Sequence, residues 1–391
     1  MAGIRDRVAV VGMGCTQFGE LWDKDVEDLI VDSSFEAIED AGIEPKDIQA
    51  AWFGTVQSGM TGQLVTQALK LEYIPVTRVE NACATATDAF RNAAYAVAAG
   101  IYDIVLASGA EKLKDTGFAG LGVGAMIGSG VEAPSPPPVQ FALAATRYAH
   151  HYGLSYEQLK TTLAKIAVKN HHNGTLCPRA HFRREITLEQ AINAPMIAWP
   201  LGLFDCCGVS DGGAAAIITT PEIAKKLKDD YVLVKGLGVT CGGKQGQLQD
   251  WYDFVHFEEN VTAAKIAYEE AGIKNPRKEI DVAIVHDCFT ITELIIYEDL
   301  GFSRRGKGPE DVDAGTFSLE GELAVNTDGG LKCFGHPVGA SGLRMLYEVY
   351  KQLQGKAEQR QVKKVDIGLT HNLGGLPGSF TCAIAILGKR D

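Results

Sequence analysis

An internal duplication constrains the fold of this chain more than any other feature. Residues 7–16, R-V-A-V-V-G-M-G-C-T, have the pattern of a buried strand ending in glycines, and residues 231–240, Y-V-L-V-K-G-L-G-V-T, repeat it. A helical pattern closes in A-I-E-D-A-G-I at 37–43 and is matched by A-Y-E-E-A-G-I at 267–273. Strand and helix patterns alternate through both copies, which predicts an α/β protein built from two similar halves.

The duplication also predicts the domain organisation. We expect an N-terminal half at 1–230 and a C-terminal half at 231–391, related by a pseudo-twofold axis with an active site between them. Residues 111–200 have no counterpart in the second half. This insertion, which includes a glycine-rich stretch at 120–130 and a proline cluster at 134–138, is predicted to cover the substrate because long insertions in compact folds are commonly functional.

Composition excludes several classes of function. The net charge of -12 argues against a nucleic-acid partner, which would require an excess of Lys and Arg. No apolar run is long enough to span a membrane and the N-terminus lacks a signal-peptide core, so we expect a cytoplasmic protein without a membrane partner. The nine cysteines show no repeated C-x-x-C spacing, which indicates neither a disulfide framework nor a zinc ribbon within the chain.

One cysteine and one histidine occupy matching places in the two halves. Cys83 follows a strand pattern and opens a helical run of small residues, N-A-C-A-T-A-T-D-A-F. The positive end of a helix stabilises a thiolate, so this position predicts a lowered thiol pKa and a nucleophile. For a lone cysteine, a buried structural role would be the better interpretation. The equivalent loop of the second half, G-H-P-V-G-A-S-G, supplies His336 as a base that would face the thiol.

Two further segments end strands of the second half at the same edge. V-H-D-C-F-T at 285–290 offers His286 and Cys288, and T-H-N-L-G-G-L-P-G at 370–378 offers His371. These side chains are donors, acids or bases that could serve the Cys83–His336 pair.

Taken together, the motifs N-A-C-A-T-A, H-D-C-F, G-H-P-V-G-A-S-G and H-N-L-G-G resemble those of the thiolase superfamily over essentially the whole chain. The branch is similar to the sterol-carrier-protein-X thiolases and the archaeal acetoacetyl-CoA thiolases. The resemblance implies a five-layered αβαβα sandwich with an inserted loop domain over the CoA pantetheine. It also implies an acyl-CoA C-acyltransferase that uses coenzyme A as co-substrate and binds no permanent cofactor.

The family mechanism implies a role for each motif. Cys83 is expected to carry the acyl group, His336 to act as base, Cys288 to exchange the enolate proton and His286 to fix a water at an oxyanion hole. The amide of Cys83 and the backbone near Gly374 and Gly375 are expected to form a second oxyanion hole, with His371 structural or in the site wall. The resemblance assigns CoA or substrate contacts to Gly339, Ala340, Ser341 and His172.

Departures from the better-known thiolases leave alternatives. Those enzymes have Asn-Glu-Ala-Phe where this chain has H-D-C-F at 286–289, and a second cysteine where it has His371, so Cys288 inherits the acid/base role in this branch. A ketoacyl synthase or hydroxymethylglutaryl-CoA synthase would favour two histidines, a histidine and an asparagine, or a glutamate base around the cysteine. A non-catalytic acyl-CoA-binding scaffold subunit remains the alternative from another class.

The same branch implies partners and substrates. The resemblance implies a homodimer core and a small OB-fold subunit carrying a zinc ribbon, and this chain, which shows no zinc ribbon of its own, is compatible with that arrangement. The N-A-C-A-T-A-T-D-A-F-R-N-A segment and the length of the insertion resemble the benzoylsuccinyl-CoA thiolases of anaerobic toluene degradation. Acetoacetyl-CoA is the alternative substrate.

Two other patterns have weaker functional interpretations. His171, His172, Cys177 and His181 lie close together in sequence, but their spacing matches no zinc motif, so no metal is expected there. The stretch G-M-G-C-T-Q at 12–17 is not the glycine fingerprint of a dinucleotide site.

Overall fold

The computed structural model describes residues 3–115 and 136–390. Twelve strands are present in this part of the chain: β1 Ala9–Cys15, β2 Ala50–Gly54, β3 Val76–Val79, β4 Ile104–Glu111, β5 Met196–Ala198, β6 Leu201–Gly202, β7 Gly212–Thr219, β8 Val232–Cys241, β9 Val282–Ile284, β10 Ala324–Val325, β11 Ile367–Leu376 and β12 Ser379–Gly388.

Fourteen α-helices connect and cover these strands in the same part of the chain. They are α1 Val26–Ala41, α2 Gln63–Leu69, α3 Thr85–Ala98, α4 Pro137–Tyr152, α5 Tyr156–Thr175, α6 Leu188–Ile192, α7 Pro221–Leu227, α8 Gln245–Leu248, α9 Glu258–Ala271, α10 Pro276–Glu279, α11 Thr290–Asp299, α12 Gly308–Asp313, α13 Gly330–Cys333 and α14 Ser341–Gln354. Short 3₁₀ turns lie at Pro45–Asp47, Leu203–Asp205 and Glu358–Arg360.

The sheet topology confirms the duplication. Ten strands run in the order β10-β9-β11-β12-β8-β1-β7-β4-β2-β3, and each half contributes its strands in the same relative order. The halves meet where β1 pairs antiparallel with β8, Ala9 opposite Leu233 and Val10 opposite Val232. Helices α3 and α14 pack against each other and against strands of both halves, while α1 covers the outer face of the first half and α9 that of the second. This is the predicted α/β sandwich of five layers.

The repeated glycines have one physical reason in both halves. A Cβ on Gly12 would lie 2.1 Å from the carbonyl oxygen of Ala37 in α1, and a Cβ on Gly236 would lie 2.3 Å from that of Ala267 in α9. Only glycine lets the outer helix approach its strand so closely. The G-x-G echo read in the sequence therefore records helix-on-sheet packing rather than a nucleotide site.

The inserted segment attaches to the second half. Its helices α4 and α5 lie against α11: Tyr148 donates to Glu298 at 2.6 Å, and Lys169 forms a 2.6 Å ion pair with Glu293. The glycine-rich stretch at 120–130 and residues 134 and 135 of the proline cluster lie outside the described residues. Among the described helices, none is both long enough and apolar enough to cross a membrane.

Candidate active site

Cys83 lies on a tight turn between β3 and α3. The preceding residue, Ala82, has φ +48°, a conformation that is unusual for a residue with a side chain and that is found repeatedly at functional sites. The Thr85 hydroxyl accepts from the Asn81 amide at 2.9 Å and fixes the turn. Helix α3 begins at Thr85, so the thiol sits just before its first turn.

His336 is held in one tautomer. Its Nδ1 lies 2.7 Å from the Ser341 hydroxyl, whose own proton is donated to the Pro337 carbonyl at 2.9 Å. Because that proton is already used, the hydroxyl accepts from Nδ1–H, which leaves a lone pair on Nε2. Nε2 is buried and has no hydrogen-bond partner among the described residues. A free lone pair on a buried imidazole is what a general base requires.

His286 follows β9 and is oriented by a residue that the sequence analysis missed. Asn372 donates its amide to Nδ1 of His286 at 3.3 Å, and Thr87 in α3 donates to the Asn372 amide oxygen at 3.2 Å. This assignment leaves the His286 proton on Nε2. The His286 and His336 rings meet edge to face, with centroids 5.2 Å apart.

These elements bring the thiol and both imidazoles together. The Cys83 Sγ and one ring nitrogen each of His286 and His336 lie within 4.8 Å of one another, although they come from opposite halves of the chain. Within the described ranges this is the one group of donor atoms close enough to hold a metal, and thiolate with imidazole is a set that Zn²⁺ accepts. A metal there would occupy the nucleophile.

Burial sets the protonation of the pair. Burial raises the pKa of Cys83 to about 12, with a further contribution from the nearby Glu111 carboxylate. Burial, and then the charge of Arg344, lower the pKa of His336 to about 3. The expectation of a lowered thiol pKa at the helix start is therefore wrong, because desolvation outweighs the amide donors there. At neutral pH the pair is a thiol and a neutral imidazole.

Cys288 lies beside this pair. Its Sγ is 3.7 Å from the Thr292 hydroxyl, and burial, followed by the neighbouring Cys207 and Cys83 thiols, raises its pKa well above the ordinary value. The Cys207 amide donates to the Cys288 carbonyl at 2.9 Å, so a third cysteine borders the site.

Asp287, between the two predicted residues, connects their segment to His336. Its carboxylate accepts from the amides of Leu331 at 2.6 Å and Lys332 at 3.2 Å, in the first turn of the helix α13 that leads to the His336 loop. Burial, and then the nearby Glu293 carboxylate, raise the pKa of Asp287 above its ordinary value. The H-D-C-F motif thus positions the histidine loop as well as supplying His286 and Cys288.

Gly374 lies directly against the nucleophile turn. A Cβ there would be 2.4 Å from the Asn81 carbonyl oxygen and 2.9 Å from the Cys83 nitrogen. Gly375 has φ +104° and turns the backbone next to it. Gly374 is therefore at the Cys83 turn and Gly375 is the next residue along β11, and the role of both in catalysis stays a prediction.

His371 was expected to be structural or part of the site wall, and its contact with Asn260 favours the structural role. Successive side chains on a strand point to opposite faces, so Asn372 faces the site and His371 faces outward. The His371 Nε2 lies 2.9 Å from the Asn260 amide oxygen of the outer helix α9. Burial lowers its pKa to about 3.

The residues assigned to CoA contact lie in two separate places. Gly339, Ala340 and Ser341 are buried where the two halves meet, and the Ser341 hydroxyl orients His336. None of the three is exposed, and their contact with CoA stays a prediction. His172 is exposed on α5, with its Nδ1 2.8 Å from a Glu185 carboxylate oxygen, and it borders a cavity of about 300 Å³ with Lys165 and Lys169.

The histidines near residue 175 are directed to separate partners. The Nδ1 of His171 lies 2.9 Å from the Arg184 carbonyl oxygen, and that of His181 lies 2.9 Å from the Ser210 hydroxyl. Cys177 is buried in the core.

Comparisons with known proteins agree with this fold. A model of the thiolase N-terminal domain matches residues 8–222, and a thiolase C-terminal domain-like model matches residues 242–389. The chain therefore belongs to the thiolase family and is an enzyme of that class.

Individual relatives place it in one branch. It is 38% identical over 390 residues to acetyl-CoA acetyltransferase of Methanothermobacter thermautotrophicus, covering 98% of this chain and 99% of that one. It is 32% identical to the benzoylsuccinyl-CoA thiolase subunit BbsB of Thauera aromatica (94% and 95% covered) and 32% identical to sterol carrier protein 2 of Bos taurus (95% and 70% covered). These relatives confirm the sterol-carrier-protein branch.

A solved structure adds a further likeness. The Ltp2-ChsH2(DUF35) aldolase superposes with a TM-score of 0.83 at 27% identity, covering 99% of this chain and 98% of that chain.

Proposed function

We propose that this protein is a CoA-dependent thiolase that cleaves or forms a 3-ketoacyl-CoA through an acyl-Cys83 intermediate. One observation carries the proposal: the Cys83 thiol and the His286 and His336 imidazoles converge within 4.8 Å. The tautomer set by Ser341 leaves His336 with a free lone pair in that group. A nucleophile with an adjacent, oriented base is the arrangement that covalent acyl transfer needs.

Cleavage begins with removal of the thiol proton. Because the thiol and the imidazole are both neutral, His336 takes the proton as the sulfur attacks the keto carbon, rather than from a preformed ion pair. The bond between C2 and C3 of the substrate then breaks. Cys83 keeps the acyl group, and the CoA-ester fragment leaves as an enolate.

The enolate is stabilised and then protonated. The Nε2–H of His286, kept in that form by Asn372, donates to the enolate oxygen directly or through a water. Cys288 supplies the proton to carbon, and its raised pKa keeps it in the protonated form that this step needs. The proton on His336 then returns to the Cys288 thiolate.

The second half transfers the acyl group to coenzyme A. His336, again neutral, takes the proton of the CoA thiol, and the CoA sulfur attacks the acyl carbon on Cys83. The acyl oxygen is held by the Cys83 amide and by backbone near Gly374 and Gly375. Cys83 leaves as a thiolate and recovers its proton from His336.

Acetoacetyl-CoA, cleaved to two acetyl-CoA, is the substrate we favour. The support is the 38% identity over nearly the whole chain to an archaeal acetyl-CoA acetyltransferase. 2-Benzoylsuccinyl-CoA is the second candidate, favoured by the 32% identity to BbsB over 94% of this chain.

A partner subunit completes the proposal. BbsB is named as a subunit, and the Ltp2 structure is of a complex with a DUF35 protein. We expect a homodimer core that works with a small OB-fold, zinc-ribbon subunit.

The test uses the purified chain with and without a DUF35-type subunit. Each preparation receives CoA with acetoacetyl-CoA or 2-benzoylsuccinyl-CoA, and intact mass and product CoA esters are followed, with Cys83→Ala as the matched control. We expect an acyl adduct on the wild-type chain only, and two CoA-ester products that require free CoA. Carbon–carbon cleavage without adduct or CoA consumption would indicate an aldolase instead, and neither adduct nor cleavage from a folded protein would indicate a scaffold.

A further inference from the structure

A buried carboxylate outside the proposed catalytic set joins the two halves beside the site. Glu111 ends β4 and is fully buried. Its two oxygens accept six hydrogen bonds: from the Thr55 hydroxyl (3.1 Å), the amides of Val56 (2.9 Å), Gln57 (2.8 Å) and Ser58 (2.9 Å), the Ser58 hydroxyl (2.8 Å) and the amide of Gly339 (3.0 Å).

These hydrogen-bond donors, rather than a cation, stabilise the Glu111 carboxylate. No salt bridge reaches Glu111 from any residue in 3–115 or 136–390. A buried charge is tolerated only when its lone pairs are satisfied, and amide donors to a carboxylate are among the stronger hydrogen bonds in proteins. A side chain that occupies six donors in this way fixes every segment that supplies them.

The segments fixed by Glu111 come from both halves. Thr55 to Ser58 form the loop after β2, whereas Gly339 lies three residues after His336 in the second half. The approach is close: a Cβ on Gly109 would lie 2.2 Å from the Gly339 carbonyl oxygen, and a Cβ on Gly339 would lie 2.8 Å from that of Ala110. The loop that carries His336 therefore packs directly against the end of β4.

We propose that Glu111 is a positioning residue for the thiolase reaction proposed above, holding the His336 loop in register with the Cys83 turn across the junction between the halves. Ser341 orients the imidazole within its loop, and Glu111 places the loop itself. Its charge also raises the pKa of Cys83, but its positioning effect passes through His336, because Glu111 touches no reacting atom.

A second carboxylate near the thiol provides a matched control. Glu80 is exposed, and its charge, like that of Glu111, raises the pKa of Cys83. Its carboxylate accepts a hydrogen bond from the Ala82 amide at 2.6 Å, and a glutamine keeps an oxygen for that donor. In Glu111→Gln, by contrast, one of the two oxygens is replaced by an NH₂ group. Both oxygens accept hydrogen bonds in the native protein, so this NH₂ group would face the N–H or O–H groups that donated to the lost oxygen.

The experiment measures alkylation of Cys83 by iodoacetamide against pH in the full chain, without substrate. Glu80→Gln removes only a charge, so Cys83 should react about two- to tenfold faster near neutral pH. Glu111→Gln removes a charge and also displaces the base, so alkylation should be about tenfold slower, approaching the His336→Ala rate. We therefore expect the rate of Cys83 alkylation to rise in Glu80→Gln and to fall in Glu111→Gln.

Equal acceleration in both variants would show that Glu111 acts only through its charge and would overturn the proposal. If Glu111→Gln does not fold, Thr55→Val removes one donor to the same carboxylate and should slow alkylation about twofold or more. An unchanged rate in folded Thr55→Val would also overturn it. Because no substrate is used, failure of every 3-ketoacyl-CoA to turn over would count against the thiolase assignment and not against this result.

Discussion

A single hydroxyl decides which nitrogen of His336 is basic. Ser341→Ala removes the acceptor of Nδ1–H and frees the imidazole to change tautomer or rotate. We expect kcat to fall about tenfold with KM nearly unchanged, as expected for loss of one orienting hydrogen bond. Steady-state kinetics check this, with Ser34→Ala as control, because Ser34 is an equally buried serine whose hydroxyl contacts Ser108 instead. A large rise in KM alone would place Ser341 in CoA binding after all.

Asn372 and His371 give a matched pair on opposite faces of β11. Asn372→Ala removes the donor that fixes His286, so exchange of the α-protons of acetyl-CoA with solvent should slow about tenfold. His371→Gln should keep near-normal exchange and lose thermal stability, because it disturbs only the contact with Asn260. Proton NMR in D₂O measures both variants. If exchange slows in His371→Gln but not in Asn372→Ala, the acid/base role belongs to His371.

The residues that could be read from sequence were those within recognisable motifs at the ends of predicted elements. Cys83, His286, Cys288 and His336 were found in this way, and the structure brings the first, second and fourth together. The same reasoning could have found Asn372, because successive side chains of a strand alternate between its faces and Asn372 lies on the face opposite His371. Glu111 and the raised pKa of Cys83 were not, because both depend on burial by segments distant in sequence.

At the scale of elements, β11 is pressed against the turn that carries the nucleophile. Gly374→Ala would place a methyl group 2.4 Å from the Asn81 carbonyl oxygen, so the strand or the turn must move. Overpacking of this kind costs about 1–3 kcal/mol of stability. Because the displaced atoms include the Cys83 amide, acyl-enzyme formation should fall about a hundredfold.

Gly243→Ala is the control for that variant. A Cβ there would lie no nearer than 3.6 Å to the closest of its neighbours, the Gln245 side chain. It should show nearly wild-type melting temperature and acylation rate by intact-mass kinetics. Normal acylation in Gly374→Ala would exclude the tight contact between β11 and the turn.

Local sequence patterns predicted the type of each element, whereas the contacts that each element makes depend on tertiary packing. The A-G-I segments ending α1 and α9 reflect helix ends at Gly42 (φ +68°) and Gly272 (φ +74°), as their sequence suggests. The H-H-N-G run, by contrast, is part of the long helix α5. There Asn170 donates to Asp287 at 2.9 Å, a contact between the insertion and the second half that spacing alone does not predict.

At the scale of the molecule, duplication explains why the site needs both halves. Cys83 comes from the first half and both imidazoles from the second, and the central helices α3 and α14 are buried against strands from each. Length and repeats predicted this symmetry. The continuous ladder through β1 and β8 was not predicted, because a contact of only two residue pairs leaves no pattern in the sequence.

This arrangement predicts that the link between the halves is dispensable once the chain has folded. The link runs through Asp229, whose side chain is 98% exposed, while its neighbours Lys228 and Asp230 are tied to Asp40 and Lys356. Cleavage at a protease site inserted after Asp229 should leave two fragments that co-elute on gel filtration and retain about half or more of the activity, since the shared core is untouched. Fragments that separate in native buffer would mean that covalent linkage, not the packing of α3 against α14, holds Cys83 and His336 together.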